Sequence, residues 1–447
     1  MKKATLFLGT LVIPAVIILT TPFGLTLQQS ILFSAVLLTV TWWATGIFNK
    51  NIASVFLLAV FLLVSDSSLQ TIFRFPLSTV FLLLASAFLL GDGITRSHLA
   101  SRIAQVFLSR YGRSPRRLIS LSFLLGLVLV LVIPHPFPRV IILTSIYTNY
   151  LKNHQVDQLT GKIILFSIYA ASSVTSMVLL NGDVVLNHAA VEFSGVNLGW
   201  TDWATYMAVP TVICSVFVFF LLILLFRSRI HQQEFSSEEK QQTRISKGEI
   251  KALLIMSGVL LGWATDMLHG IDPAWISLAG VLAMGFARLL YPSDLRKLNV
   301  TLFIFITAAF SIGGVLNESG VGKELFDQLV QIMPDPGSLA FYVFLVLSVM
   351  AVHMFIGSSV TTMAVMLPGL LSLEMPGVEP VAVTLIVYIT VAIHFLLPFH
   401  HATMMIGAGS NHFSQRVLLQ YGLMMTAATL AMILGIFLPW WRITGLL

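Results

Sequence analysis

Four short constellations in this chain hold residue types able to bind ions or move protons. Gly357-Ser358-Ser359-Val360-Thr361-Thr362-Met363, followed by Leu367-Pro368, gathers four hydroxyls in a small space. Hydroxyls and freed backbone groups at a helix break can coordinate a cation or donate to an anion. The plainer reading is that they only satisfy the broken backbone. Ala171-Ser172-Ser173-Val174-Thr175-Ser176 with Asn181-Gly182-Asp183 interrupts a second apolar run. Asp183 there is an ionisable group near membrane depth, and the competing placement is the outer water boundary. Pro398-Phe399-His400-His401-Ala402-Thr403, with Gly407-Ala408-Gly409-Ser410-Asn411-His412, pairs histidines beside a break. Such a pair can bind an anion when protonated, or relay protons. Pro134-His135-Pro136-Phe137-Pro138-Arg139 places three alternating prolines, which forbid a regular helix, just before an arginine in an apolar run. A guanidinium held there would suit a carboxylate, sulfate or phosphate through two parallel hydrogen bonds, unless it is simply snorkelling or structurally paired. Asp92, between Gly91 and Gly93, reads as interfacial.

The elements that must position these groups are membrane helices. The chain has 447 residues, 57% hydrophobic and 10% charged, with a mean hydropathy of +0.91. Soluble domains carry about 25% charged residues, so this chain has too little polar surface to cover a globule in water. The net charge of +6 comes from basic residues in short loops, a topological signal rather than a nucleic-acid one. The single cysteine, Cys214, can form no internal disulfide and reads as a small packing residue. No histidine, cysteine and carboxylate set has metal spacing, so no resident metal or cofactor is expected.

Apolar runs fall at 4–22, 27–47, 52–65, 77–94, 117–150, 163–190, 204–226, 250–266, 274–290, 300–316, 338–371, 381–408 and 417–440. The runs 117–150 and 338–371 are too long for one span, and polar or proline residues interrupt each midway. They are expected to be re-entrant helical hairpins, tolerated only where protein or a wet cavity buries the tip. The expected fold is an all-α integral membrane protein of about 11 transmembrane helices plus these two hairpins. Met1-Lys2-Lys3 before an apolar stretch, without a clear cleavage site, reads as a first helix whose N-terminus is cytoplasmic. With both hairpins in place, Lys50, Arg96, Arg102, Arg110, Arg113, Arg116, Arg117, Lys152, Lys162, the loop Arg227–Lys251, Arg288, Arg296, Lys297 and Arg416 fall inside. Only Arg74, Lys323 and Arg442 fall outside. The expected localisation is therefore a multi-pass protein of the inner or plasma membrane.

The halves are similar: residues 78–91 match 300–313, and each match runs on into an amphipathic stretch (97–111 and 319–333), a hairpin, a broken span and a final span. The second copy starts inside and the first outside, which is an inverted repeat, the architecture of many secondary transporters. The domain plan is an N-terminal helix (1–26), a first repeat (27–226), a solvated cytoplasmic linker (227–249) with regulation as the lesser alternative, and a second repeat (250–447).

The arrangement resembles the divalent anion/sodium symporter family, the sodium-coupled dicarboxylate, citrate and sulfate carriers. Ser358-Ser359-Val360-Thr361-Thr362 with Leu367-Pro368 looks like the second hairpin-tip motif, Ser-Asn-Thr followed by Ala-Thr and Leu-Pro. Ser172-Ser173-Val174-Thr175 looks like the Gly-Gly-x-x-Thr of a broken span, while Leu397-Pro398, Gly407-Ala408-Gly409, Trp203 and Pro210 fit the surrounding frame. At the first tip Pro134-His135-Pro136 stands where Ser-Asn-Thr belongs, and neither break keeps Thr-Pro-Pro-Asn. Taken together, the four constellations and the resemblance give Arg139, His135, Ser172, Ser173, Thr175, Ser358, Ser359, Thr361, Thr362, His400 and His401 as expected substrate contacts, and Ser358, Thr362, Asn181 and Asp183 as expected cation-coupling residues. The eroded motifs put Na+ coupling in doubt. Arg139 would supply as a fixed charge what sodium supplies elsewhere, and coupling would pass to H+ through His135, His400 or His401, or to a counter-anion.

The function expected is secondary active transport of a small anion, dicarboxylate- or sulfate-like, with the bilayer and the substrate as partners. The resemblance adds a possible homodimer. The first alternative is a cation/proton antiporter centred on Asp183. The second is an intramembrane enzyme, for which the chain offers no HExxH, no Gly-x-Ser-x-Gly elbow and only a Ser359–His400 pair that the fold would have to bring together. No Walker-type loop is present.

Overall fold

The computed structural model describes residues 2–230, 234–235, 244–322, 324, 331–373 and 375–447. Lys323 and much of the 227–249 linker and the 319–333 stretch lie outside the described residues. Among the described residues the chain is helical throughout, with no β-strand. α1 (Lys2–Thr20) leads into α2 (Leu27–Thr45), α3 (Lys50–Val64), the single turn α4 (Leu69–Ile72), α5 (Thr79–Ser97) and α6 (Leu99–Tyr111). α7 (Pro115–Val130) and α8 (Pro136–Asn153) form a helical pair, followed by α9 (Gln158–Thr175), α10 (Leu186–Ser194) and α11 (Trp200–Phe226). The second half runs through α12 (Lys247–Ala264), the short α13 (Asp266–His269), α14 (Pro273–Phe286) and α15 (Val300–Glu318). Its own helical pair is α16 (Leu339–Ile356) and α17 (Ser359–Leu371). It ends with α18 (Pro380–Ile393), α19 (Ala402–Gly409), α20 (Gln415–Met432), a π turn over Ile433–Phe437 and α21 (Leu438–Ile443).

Among the described residues, six segments are long and apolar enough to cross a bilayer: Thr79–Ser97, Gln158–Val178, Trp200–Phe226, Val300–Glu318, Leu339–Ile356 and Gln415–Ile443. Shorter apolar helices, α3, α14, α17 and α18 among them, pack between these. The protein is an all-α integral membrane protein.

Both over-long apolar runs fold back on themselves, for local reasons. Ser114 caps α7 and Pro115 occupies its first position, where the missing N–H is not needed. At the turn, His135 is extended (φ −145°, ψ 134°), as a residue before proline must be. Pro136 and Pro138 then fall in the first turn of α8, whose amide groups have no intrahelical acceptor anyway. The alternating prolines are therefore punctuation for one turn, not damage to a helix. In the second pair α16 ends on Gly357 with φ 66°, and Ser358 caps α17. Both later helices also stop early. α9 gives way at Thr175 to two short 3-10 turns over 176–178 and 180–183 before α10. α18 gives way at Ile393 to an irregular stretch around Pro398 before α19.

The packing of one half mirrors that of the other. α3 lies on α15 and α14 lies on α5, α7 and α8 pack on α9, and α16 and α17 pack on α18. At one end of the molecule the halves are tied by ion pairs. Arg96 at the end of α5 donates to both carboxylate oxygens of Asp294, at 2.7 and 2.8 Å, and Lys297 joins Asp294 at 2.8 Å. Arg102 meets Glu249 at 2.8 Å, while Glu249 closes the capping box of α12 with Ser246.

Hydrogen bonds from Arg96, then from Lys297 and from the Tyr291 N–H, hold the Asp294 carboxyl below the ordinary aspartate range. A depressed folded pKa gives stability that is present above the unfolded value and lost as pH falls through the folded one. Arg96 is about one-third exposed, which screens part of the interaction. Asp294→Asn is expected to destabilise the protein by about 1–2 kcal/mol near neutral pH. The gap from wild type, read from unfolding midpoints in detergent, closes as pH drops below about 4. A gap that stays constant to acid pH would show that the carboxylate charge is not what stabilises.

Candidate functional site

Both turns and both breaks converge on one cavity of about 640 Å³. His135 and Phe137 come from the first tip, Asp183, Val185 and Leu186 from the first break, Gly357–Val360 from the second tip, and Phe399–Ala402 from the second break. Lys50, Trp43, Asn299, Thr301 and Phe305 line the remaining wall, from the α2–α3 turn and the start of α15. Four helices, α8, α10, α17 and α19, begin at this cavity. The positive ends of their dipoles face it, while at α8 and α10 the first N–H groups are already capped, Phe137 by His135 and Val185 and Leu186 by Asp183.

Each break is tied to its own tip. The Val184 N–H donates to the Pro134 carbonyl at 3.4 Å, and the Ser359 hydroxyl is shared between the carbonyls of Val391 and His400 at 2.9 and 3.0 Å. Ser359 therefore gives its proton to backbone oxygens and not to an imidazole, so the fold assembles no Ser359–His400 nucleophile pair. Gly357 is required at the second tip. Its φ is positive, and a Cβ there would sit 2.7 Å from the Phe399 ring.

His135 faces the cavity from between the rings of Phe88 and Phe137, at centroid distances of 4.4 and 4.5 Å. Its Nδ1 accepts the Phe137 N–H at 3.2 Å, so the neutral ring carries its proton on Nε2. Arg139 is fully buried and does not line the cavity. Its Nη2 donates to the Ser176 hydroxyl at 2.7 Å and to the Gly182 carbonyl at 2.6 Å, while Nε and Nη1 have no partner among the described residues. The arginine thus clamps the first break from behind. Asp183 accepts the N–H groups of Val185 and Leu186, at 3.2 and 3.1 Å, as the cap of α10, within the electrostatic field of Arg139.

The other expected residues divide into those at the cavity and those behind it. Ser358, Ser359, His400 and His401 line it. Ser172, Ser173 and Thr175 are buried within α9, and the hydroxyls of Ser173 and Thr175 bond back to the carbonyls of Ala170 and Ala171. Thr361 donates to Ser358 Oγ at 3.0 Å and Thr362 to the Ser358 carbonyl at 2.9 Å. Of the four residues expected for cation coupling, Asp183 and Ser358 share the cavity. Asn181 and Thr362 do not line it, and Asn181 Oδ1 accepts from the Trp200 indole at 2.9 Å.

Sequence reasoning passed over four residues here. Lys50 was counted as a topological charge, yet it is the lysine of the cavity wall, 5.4 Å from the Phe305 ring centre. Asn187 donates to the carbonyls of Ser176 and Leu179 and accepts from the Tyr388 hydroxyl at 2.6 Å, joining the first break to α18. His353 and His394 sit behind the second tip and break. The available signal was a polar residue within an apolar run, which in lipid is costly without a partner.

Gly357→Ala combines the left-handed strain with a collision at Phe399, and is expected to cost about 1–3 kcal/mol and most of the protein's activity. Unchanged thermal stability and unchanged transport in the variant would show that the tip can rearrange freely.

Across residues 1–447 the chain matches the family described as "Sodium:sulfate symporter transmembrane region". It is 25% identical to a "Membrane protein" of Cupriavidus necator over 82% of this chain and 75% of that one. It is 22% identical to the "Putative malate transporter YflS" of Bacillus subtilis over 67% of this chain and 66% of the relative. It is 23% identical to "Dicarboxylate transporter 1, chloroplastic" of Arabidopsis thaliana over 81% of this chain and 69% of the relative. These are transporters and membrane proteins rather than enzymes, and with a match over its whole length the chain belongs to the sodium:sulfate symporter family.

Proposed function

We propose that the protein is a secondary active carrier of a small dianion, a dicarboxylate before sulfate, working by alternating access. The observation that carries this reading is the convergence of four helix N-termini on one cavity. Helix N-termini are ready-made anion sites, and these are supported by Lys50 and by the imidazoles of His135, His400 and His401. The one carboxylate at the cavity, Asp183, is already engaged as the cap of α10. An antiporter would need that acid for its cation, so the anion reading is favoured. The names of the malate and dicarboxylate relatives support a dicarboxylate, and the cavity has room for one.

In this reading the two halves are inverted repeats, with α7–α8 and α16–α17 as re-entrant hairpins whose tips meet inside the membrane. The N-terminus is cytoplasmic, and the protein lies in the inner or plasma membrane, as the loop charges indicate. Lys50 and Asn299 then mark a cavity open toward the cytoplasm. The substrate's charges lie against the starts of α8 and α17, with Lys50 at the rim. Arg139 stiffens the first break rather than touching substrate. Coupling is to protons or to a counter-anion, because Asn181 and Thr362 spend their side chains on structural hydrogen bonds.

The test is thermal stabilisation of the purified protein by a panel of anions, in sodium and in potassium buffer, on both sides of the imidazole range. Succinate or malate is expected to stabilise in either cation, more strongly at the acid pH. Lys50→Gln is expected to weaken the half-saturating concentration by about fivefold, near 1 kcal/mol. Stabilisation seen only in sodium would overturn the sodium-independent part of the reading. No response to any dianion would overturn the anion assignment itself.

A further inference from the structure

Three buried imidazoles stand together behind the second hairpin tip. The His353 ring lies 5.3 Å from that of His400 and 6.2 Å from that of His394, centre to centre, and all three residues are at most 1% exposed. Each has one ring nitrogen with no hydrogen-bond partner among the described residues: Nε2 of His353, Nδ1 of His394 and Nε2 of His400.

The neighbours favour one placement of the protons. The Thr362 hydroxyl donates to the Ser358 carbonyl and its oxygen lies 3.0 Å from His353 Nδ1, an arrangement that is satisfied when that nitrogen carries the ring proton. In that tautomer His353 is bare at Nε2. Thr426 gives its proton to the Gly422 carbonyl, so its oxygen accepts from His394 Nε2–H at 3.2 Å, and neutral His394 is bare at Nδ1. His400 Nδ1 accepts the Leu396 N–H at 3.2 Å, which leaves its proton on Nε2. The cluster thus holds two empty acceptors and one unpaired donor in an apolar setting, where an unsatisfied polar atom is costly.

We propose that His353 and His394, screened from the cavity by His400, form a proton-binding site that couples the carrier to the proton gradient. One proton leaves a hydronium ion in the cavity and adds to a bare ring nitrogen, and is released unchanged on the other side. His400 lines the cavity and lies in the break between α18 and α19, so its ring is the wall the proton must pass. Before uptake, its Nε2–H and the bare nitrogens are complementary. After uptake, donor faces donor, which pushes His400 and the break away from α16. The same break carries the carbonyl that holds Ser359 of the tip, so the displacement reaches the substrate cavity.

The charges around the cluster are few. α2 and α17 contribute no ionisable side chain. From the turn, His401 acts on His353. Tyr421 of α20 stacks instead on Phe395, and the Tyr388 hydroxyl of α18 is engaged by Asn187. The packed helices carry Arg416 on α20, Lys162 on α9, and His188 and Glu192 on α10.

This inference rests on the anion-carrier reading, and its experiment separates the two. The full-length protein is reconstituted into vesicles with the membrane potential clamped at zero, and labelled succinate is followed alongside a trapped pH dye. Wild type is expected to exchange succinate for succinate. An inside-alkaline step of one pH unit should sustain up to about tenfold accumulation per proton carried, with acidification of the lumen. His353→Asn keeps a donor for Thr362 and His394→Gln keeps one for Thr426, but neither titrates. Each variant is expected to retain exchange within about threefold, and to lose both gradient-driven accumulation and lumen acidification. Variants that still accumulate like wild type would overturn the proposal, as would a wild type that exchanges but never accumulates. A wild type that does not exchange succinate at all would remove the carrier reading beneath it. Comparable unfolding midpoints for wild type and variants exclude misfolding as the cause of a loss.

Discussion

A helix that stops inside a low-dielectric layer leaves carbonyls and N–H groups with no water to take them, and this protein stops four helices around a single cavity. Every one of those ends has to be satisfied from within the chain. At the first break the carbonyls freed between α9 and α10 are taken by Arg139, which holds Gly182, and by Asn187, which holds Ser176 and Leu179. At the second, Ser359 takes the carbonyls of Val391 and His400. These side chains are the reason irregular backbone can exist here, and therefore the reason that helix N-termini are free to face a substrate.

The two breaks meet this demand with different chemistry. The first uses a guanidinium, a carboxylate cap and an amide, groups that bond in fixed directions. Arg139 is buried behind the break, with two nitrogens left over. The second uses hydroxyls and imidazoles, whose protons can be rearranged at small cost. Frames that match helix for helix have thus been filled with a rigid solution on one side and an adaptable one on the other. The erosion of Ser-Asn-Thr to Pro134-His135-Pro136 belongs to the rigid side. With Pro136 at the first position of α8 and His135 capping it, the tip closes without the hydroxyls and amide that a cation would need.

Much of this frame was legible in the sequence because membrane helices leave coarse signs. Runs too long for one span, broken by proline or by serine clusters, become helical pairs and breaks at the places the residues indicate. Residues 78–91 and 300–313, alike in sequence, fall on α5 and α15. Direction was not legible. Arg139 sits on α8 as expected, but whether its side chain turns to the cavity or to the break depends on where Ser176 and Gly182 lie, which no local pattern states. Ser173 and Thr175 spend their hydroxyls on their own helix, a choice that spacing cannot distinguish from substrate binding. His353 and His394 are single polar letters in separate apolar runs, and only the packing of α16 on α18 makes them neighbours of His400.

That packing also explains why the adaptable side is the second one. α16 and α17 meet α18 where His353, His394 and Thr362 come together: His353 bonds to Thr362, and its ring lies 6.2 Å from that of His394. In the first half the equivalent contact of α7 and α8 with α9 is made by Ser122, Tyr147 and Ser167, whose hydroxyls are bonded to one another and to the Leu118 and Ile164 carbonyls. None of these hydroxyls changes charge near neutral pH. A charge gained at the second interface would act on both its tip and its break, whereas the hydroxyls of Ser122, Tyr147 and Ser167 gain none. Motion begun in the second half would then turn against a first half that its arginine clamp keeps stiff, which is what a carrier needs if one element is to move past a fixed partner.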